Sequence, residues 1–276
     1  MTFTEFSLSP AGLTLMGAVC GDVIGSSYEF YKTKKYDFQL FKPRSRFTDD
    51  TVCTVAVADS LLHDIPFDKS LQKWGLKYLS RGYGGSFRQW LTSENPMPYN
   101  SWGNGSAMRV SAAGAAAGSI EEALELAKKS AEVTHDHPEG IKGAQAVAAA
   151  VFMALHGSTK QEIKDFITQN IGYDLSRNYE DIKPGYKFEV SCQKSVPESI
   201  ICFLESTDYE SAIRLAVSMG GDADTMGAIA GSIAAAYYKE INPSIFKGVA
   251  ELLTDDIKEI IIEFSEKYNR DLCQKN

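Results

Sequence analysis

Several features are scarce in this 276-residue sequence, and each scarcity excludes a class of protein. Cysteine is one: Cys20, Cys53, Cys192, Cys202 and Cys273 are odd in number, scattered, and form no C-x-x-C pair. A disulfide framework or zinc knuckle is therefore not expected, and a reducing compartment fits the pattern. Long apolar runs are also missing. The first apolar stretch, within MTFTEFSLSPAGLTLMGAVCGDVIG, has no basic residue before it and is broken by Gly21 and Asp22. It is too short to span a bilayer and lacks the layout of a signal peptide, so the expected compartment is the cytoplasm and no membrane partner is expected. Positive charge is in deficit, with 28 basic against 36 acidic residues and a formal net charge of −8. That balance argues against long nucleic acid bound through its phosphates. It leaves room for a small anion held at helix N-termini or metal ions.

No alternation of strands with helices, repeat period, low-complexity run or linker interrupts the chain, so one domain over residues 1–276 is expected. Helical spacing dominates instead. Apolar periodicity and helix-former content predict helices over 50–63, 67–81, 106–118, 120–133, 139–156, 159–169, 196–206, 208–219, 225–239 and 253–268. Ser195 before Val196-Pro197, Asp208, and Asn242 before Pro243 read as N-caps. The clearest strand candidates, Tyr36–Phe41 and Tyr186–Val190, are short and lie in loop-rich stretches. Several predicted helices carry small-residue runs (GAVCGDVIGSS, SAAGAAAG, GAQAVAAAVFMA and GAIAGSIAAAYY). Glycine costs up to about 1 kcal/mol in a helix interior, and the gain that offsets it is close approach of helix axes. The expected fold is an all-α, compact bundle of many helices. The run from Asn170 to Lys194 reads as a surface excursion or a lid.

Two acidic clusters stand before such helices: Phe47-Thr48-Asp49-Asp50-Thr51, and Gly220-Gly221-Asp222-Ala223-Asp224-Thr225. Capping explains one acidic or hydroxyl residue at a helix start, but each cluster has three or four. Adjacent aspartates repel unless a cation or hydrogen-bond donors neutralise them, and all-oxygen ligands suit Mg²⁺ or Mn²⁺ rather than zinc. On chemistry alone, capping and a two-metal site remain open alternatives. Asp22 and Glu29 are seven residues apart, a spacing that on one helix puts both on one face. They read as a structural acceptor and a general base, or as a solvated pair. Ser101-Trp102-Gly103-Asn104-Gly105-Ser106-Ala107-Met108-Arg109 offers backbone N–H groups at a helix start, and Tyr83-Gly84-Gly85-Ser86 is a weaker turn of the same kind. In Thr134-His135-Asp136-His137-Pro138-Glu139 the two histidines do not share a helix face, which suggests a capping loop rather than a zinc pair.

Taken in order, G-D-x-x-G-x-x-x-E, F-T-D-D-T, G-N-G-x-A-M-R and G-G-D-x-D-T resemble the ADP-ribosylglycohydrolase family, over about Gly17 to Tyr238. The resemblance implies an all-α orthogonal bundle with a binuclear metal cleft, two Mg²⁺ ions (Mn²⁺ as the alternative), and hydrolysis of the bond between ADP-ribose and a protein side chain or small molecule. It implies metal ligation by Thr48, Asp49 and Asp50 from one side, and by Asp222, Asp224 and Thr225 from the other. It places Glu29 beside the scissile ribose, with Glu29, Asp49, Asp50 and Asp224 as the catalytic set. Ser101, Trp102, Gly103 and Asn104 match the loop lining ribose and diphosphate, Gly85 a phosphate-binding turn, and His135 a position near the distal ribose. The alternatives are an ADP-ribose or nucleotide binder without turnover, a metal-dependent phosphatase or nucleotidase, and a purely structural protein. The segment YDLSRNYEDIKPGYKFEVSCQKSVPES is either the leaving-group side of the cleft or a solvated loop.

Overall fold

The computed structural model describes residue 3 and residues 7–269; Cys273 lies outside them. Among the described residues all regular structure is helical, as the spacing predicts. The helices are α1 Pro10–Gly25, α2 Asp49–His63, α3 Phe67–Lys77, α4 Gly85–Leu91, α5 Ser111–Ala116, α6 Ile120–Glu132 and α7 Pro138–Leu155. They continue as α8 Lys160–Phe166, α9 Tyr179–Ile182, α10 Cys192–Glu205, α11 Tyr209–Ser218, α12 Ala223–Tyr238, α13 Pro243–Ala250 and α14 Asp255–Lys267. No helix among the described residues is long and apolar enough to cross a membrane.

The centre of the fold is the crossing of α1 and α12, two almost wholly buried helices from opposite ends of the chain. Small residues permit it. A Cβ on Gly21 would lie 2.0 Å from the carbonyl oxygen of Gly227, and one on Gly231 would lie 2.4 Å from that of Gly17. The same face ends at Gly25, where a Cβ would meet Ala223 O at 2.2 Å and Asp224 Cα at 2.6 Å. Real Cβ atoms do not tolerate such distances, so the backbones touch directly at a packing density that larger residues would prevent. Around this pair, α2 and α14 close one side, while α7, α10 and α11 close the other.

Several boundaries differ from the spacing. The predicted helix 106–118 begins instead as a one-turn 3₁₀ segment, Asn104–Ser106, and α5 starts only at Ser111, after turns that direct Arg109 into the interior. The run 159–169 ends in a π-helical turn, Ile167–Ile171, closed by Gly172 in a left-handed conformation. Helix α10 begins three residues before Ser195, which lies inside it and bonds back to Ser191 O at 2.8 Å, so Pro197 is interior rather than in the first turn. Its start is set by pairing with a distant loop: Asn104 N donates to Val190 O (2.7 Å) and Cys192 N to Trp102 O (2.9 Å). Neither strand candidate forms a strand. The carbonyls of Tyr36 and Phe38 are taken by Arg214 and that of Gln39 by Tyr28 Oη, while 186–190 leads only into one isolated bridge, Ser191 with Gly103.

Candidate active site

The α1–α12 contact brings three acidic segments together. Asp22, in the last turn of α1, is fully buried. It accepts four hydrogen bonds, from Thr48 N (2.9 Å), Thr48 Oγ1 (2.7 Å), Thr51 N (3.1 Å) and Thr51 Oγ1 (2.5 Å). Asp22 thereby fastens the N-terminus of α2 to α1 and satisfies amides that the helix start leaves free. Thr48, the N-cap of α2, accepts from Asp50 N (3.3 Å) while its own hydroxyl proton goes to Asp22.

Asp49 and Asp50 occupy the first turn of α2, and Asp224 and Thr225 the first turn of α12 just after Asp222. Gly220, at φ +75°, makes the left-handed turn that carries the chain into this start. One oxygen from each of Asp22, Asp50 and Asp224 lies within 4.8 Å of the others, and so does a second set from Glu29, Asp222 and Asp224. Asp222 accepts from Asn104 Nδ2 at 2.8 Å. Asp50 Oδ1 is buried without a hydrogen-bond partner among the described residues. Burial, then the charges of Asp22, Asp49 and Asp222, holds the Asp50 carboxyl well above the usual range, and Asp224 is raised by burial and by Asp222, Asp50 and Glu29. Asp49 is pushed up to about 7 by burial and then by Asp22. Buried carboxylates in this density, one of them with an orphaned oxygen, form a hard-oxygen donor set that can hold metal.

Glu29 reaches the cluster by a different route from the one its spacing suggests. Helix α1 stops at Gly25, and the chain turns back, with Tyr28 N bonded to Gly25 O (2.7 Å) and Tyr28 Oη to Gln39 O (2.6 Å). This turn, not a shared helix face, aims Glu29 at Asp222 and Asp224. The pair is not solvated, because Asp22 is buried and Glu29 half-buried. Burial, then repulsion from Asp222 and Asp22, raises Glu29 to about 7.

A cleft of about 620 Å³ opens over these carboxylates, within the range of small-molecule sites. Asp49, Asp50, Asp222, Asp224 and Thr225 lie on its wall, with Glu29 at one side; Asp22 and Thr48 lie behind them. Gly85, with open space where a Cβ would be, forms part of one wall at the start of α4. Ser101, Trp102, Gly103, Asn104 and His135 form another. Trp102 stands on the rim, 53% exposed, with its ring edge-on to His137 at 5.5 Å. His137 caps α7 through Glu139 N, whereas His135 turns inward. The structure adds residues to which the sequence assigned no site role, although Arg109 closes the G-N-G-x-A-M-R motif. Phe188 and Val190 line the cleft although their segment looks like a solvated loop, and Tyr99 and Arg109 line its inner end. The available signals were an apolar pair in the polar run KFEV and a lone arginine within apolar SAMRVSAA.

The fold and the order of these segments define the class. A model of the ADP-ribosylglycohydrolase family matches residues 12–272, and the chain belongs to that family, whose members hydrolyse glycosyl bonds. Among individual relatives, it is similar to the ADP-ribosylhydrolase ARH3 of Homo sapiens, 27% identical with 84% of this chain and 86% of that protein covered. It is also similar to the ADP-ribosylarginine hydrolase Tri1 of Pseudomonas putida, at 23% identity over 85% of this chain and 72% of that protein. A solved structure, an ADP-ribosylglycohydrolase-related protein complex, shares the fold with a TM-score of 0.72, covering 95% of this chain and 98% of its own at 21% identity.

Proposed function

We propose that this chain is a Mg²⁺-dependent ADP-ribosyl glycohydrolase. It would cleave the N- or O-glycosidic bond between ADP-ribose and a modified protein side chain or small molecule and release ADP-ribose. The observation that carries the reading is the convergence of Asp50, Asp222, Asp224 and Glu29 at the cleft, with Asp22 behind them and a buried Asp50 oxygen unpaired. Thr48, Asp49, Asp50, Asp222, Asp224 and Thr225 would hold two Mg²⁺ ions, or Mn²⁺ in their place. The Thr48 hydroxyl proton is donated to Asp22 and one lone pair accepts from Asp50 N, which leaves the second lone pair for a cation. When bound, such cations would offset part of the aspartates' negative charge and help orient the distal ribose hydroxyls.

The chain's own groups account for the remaining chemistry. Gly85, Ser101 to Asn104 and His135 would hold the ADP-ribose moiety along the cleft, fixing the anomeric carbon over Asp49, Asp50 and Asp224. Breaking the glycosidic bond builds positive charge at that carbon, and this negative floor stabilises it. Glu29, raised to about 7, can hold or release a proton at its carboxyl near neutral pH. It would take that proton from the attacking water while the departing atom gains one from solvent, with Asp22 keeping the N-terminus of α2 in place behind it.

The name of one relative specifies an arginine linkage, whereas that of the other specifies none. The test is therefore release of free ADP-ribose from arginine-linked and serine-linked ADP-ribosyl peptides, in Mg²⁺ and in EDTA. Mg²⁺-dependent release from either is expected and identifies the bond. Measurable ADP-ribose binding without release from either would replace this reading with that of a binding protein.

A further inference from the structure

Arg109 is 1% exposed and, among the described residues, has no carboxylate hydrogen-bonded to it. Its Nη2 donates to Ser130 O (2.6 Å) and to Thr134 Oγ1 (2.9 Å). A guanidinium only donates, so the Thr134 hydroxyl must point its single proton elsewhere. Two acceptors are within reach: Ala131 O at 3.5 Å, the outer limit of a hydrogen bond, and His135 Nδ1 at 2.7 Å. The short contact takes the proton. A ring nitrogen that accepts is unprotonated, so the proton of a neutral imidazole then resides on Nε2. Burial and the Arg109 charge also hold His135 well below the ordinary histidine range, keeping the ring neutral. Nε2 lies beside the loop, where a Cβ on Gly103 or Gly105 would stand 3.6 or 3.2 Å from it; the missing side chains keep this nitrogen open to the cleft.

We infer that Thr134, oriented by Arg109, is a positioning residue that fixes His135 as a neutral Nε2–H donor for an uncharged acceptor on the bound ligand. The inference rests on the ADP-ribose reading only for the ligand, in which the acceptor is a ribose oxygen or a purine nitrogen. An imidazolium would instead favour the diphosphate. Thr134 and Arg109 touch no reacting atom; they act through the ring.

The experiment is ¹⁵N NMR of the imidazole in the full chain without ligand at neutral pH, with His135 assigned by difference from His135→Gln. The expected spectrum has an unprotonated Nδ1 and a protonated Nε2. Thr134→Val should lose that bias and weaken ADP-ribose binding about tenfold, the effect of one neutral hydrogen bond, and Thr134→Ser should restore both. A loss that persists with ADP places the acceptor on the adenosine half, and one seen only with ADP-ribose places it on the distal ribose. A wild-type ring protonated on Nδ1, or a Thr134→Val protein with wild-type tautomer and affinity, overturns the proposal. If Thr134→Val does not fold, the wild-type spectrum and Thr134→Ser still decide. Because the tautomer is read without ligand, its failure is separate from a failure to release ADP-ribose.

Discussion

Asp50 carries the conflict at the heart of this molecule, since a buried carboxylate with an unpaired oxygen is a poor choice for stability alone. Asp50→Asn and Asp224→Asn keep shape and remove charge. Both are expected to lower Mg²⁺-dependent ADP-ribose release by about 100-fold or more, while raising the melting temperature of the metal-free protein. Calorimetry in EDTA beside the activity assay checks the pair, and loss of stability in both variants would support a capping role instead. Glu29→Gln is expected to bind Mg²⁺ and ADP-ribose like the wild type yet turn over about 100-fold more slowly or worse; full activity would remove Glu29 from the proton transfer. At this scale much was legible. Paired acidic and hydroxyl residues exceed what a helix cap needs, so their excess is visible in sequence. Glu29 was visible as a residue but not as a geometry, because the turn after Gly25 depends on Tyr28 reaching Gln39. Phe188 and Val190 were illegible because their exposure resembles that of an ordinary loop until the opposite wall of the cleft is in place.

Among the elements, α1 and α12 matter most. Gly21→Ala would place a methyl group 2.0 Å from Gly227 O, on backbone that cannot rotate away. Overpacking of this kind costs about 3 kcal/mol or more, equivalent to roughly 6–12 °C of melting temperature for a chain of this size. Thermal denaturation checks it, and a shift below about 2 °C would mean that the helices separate without penalty. The small-residue runs announced this contact in the sequence, as helical periodicity announced most helices. The errors share a cause. Ser195 looked like a cap because Pro197 favours a first turn, but the start of α10 is set by Trp102 and Asn104, far away in the chain. The Tyr36–Phe41 segment has strand-like composition, yet Arg214 occupies its carbonyls. Local patterns do not report partners supplied by distant segments.

For the whole molecule, the acidic cluster ties stability to pH and to cations. Glu29 and Asp49 are raised to about 7, and Asp50 and Asp224 are raised as well. A carboxyl with a higher value folded than unfolded favours the fold when protonated. That contribution is complete below about pH 4, the unfolded value, and is lost as pH rises through about 7. Mg²⁺ held by the cluster should reverse the loss, because a cation favours the ionised form. The gain in melting temperature from saturating Mg²⁺ over EDTA is therefore expected to be larger at pH 8 than at pH 5.5. At a hundredfold excess over Kd, it should reach roughly 5–10 °C, from about 2.7 kcal/mol of linkage. Equal gains at both values would show that the cluster does not bind the ion.

The meeting of α1 with α12 also has a consequence for biosynthesis. Asp22 leaves the ribosome early and Asp224 near the end, and the two share a site only after both glycine faces have docked. A nascent chain thus carries no assembled site until translation has passed Tyr238, and a fragment ending before α12 holds Asp22, Asp49 and Asp50 without their partners. Cation capture by this cluster would then be a late event in the life of each chain, and a divalent ion added to a refolding mixture should reward only molecules whose two ends have already found each other.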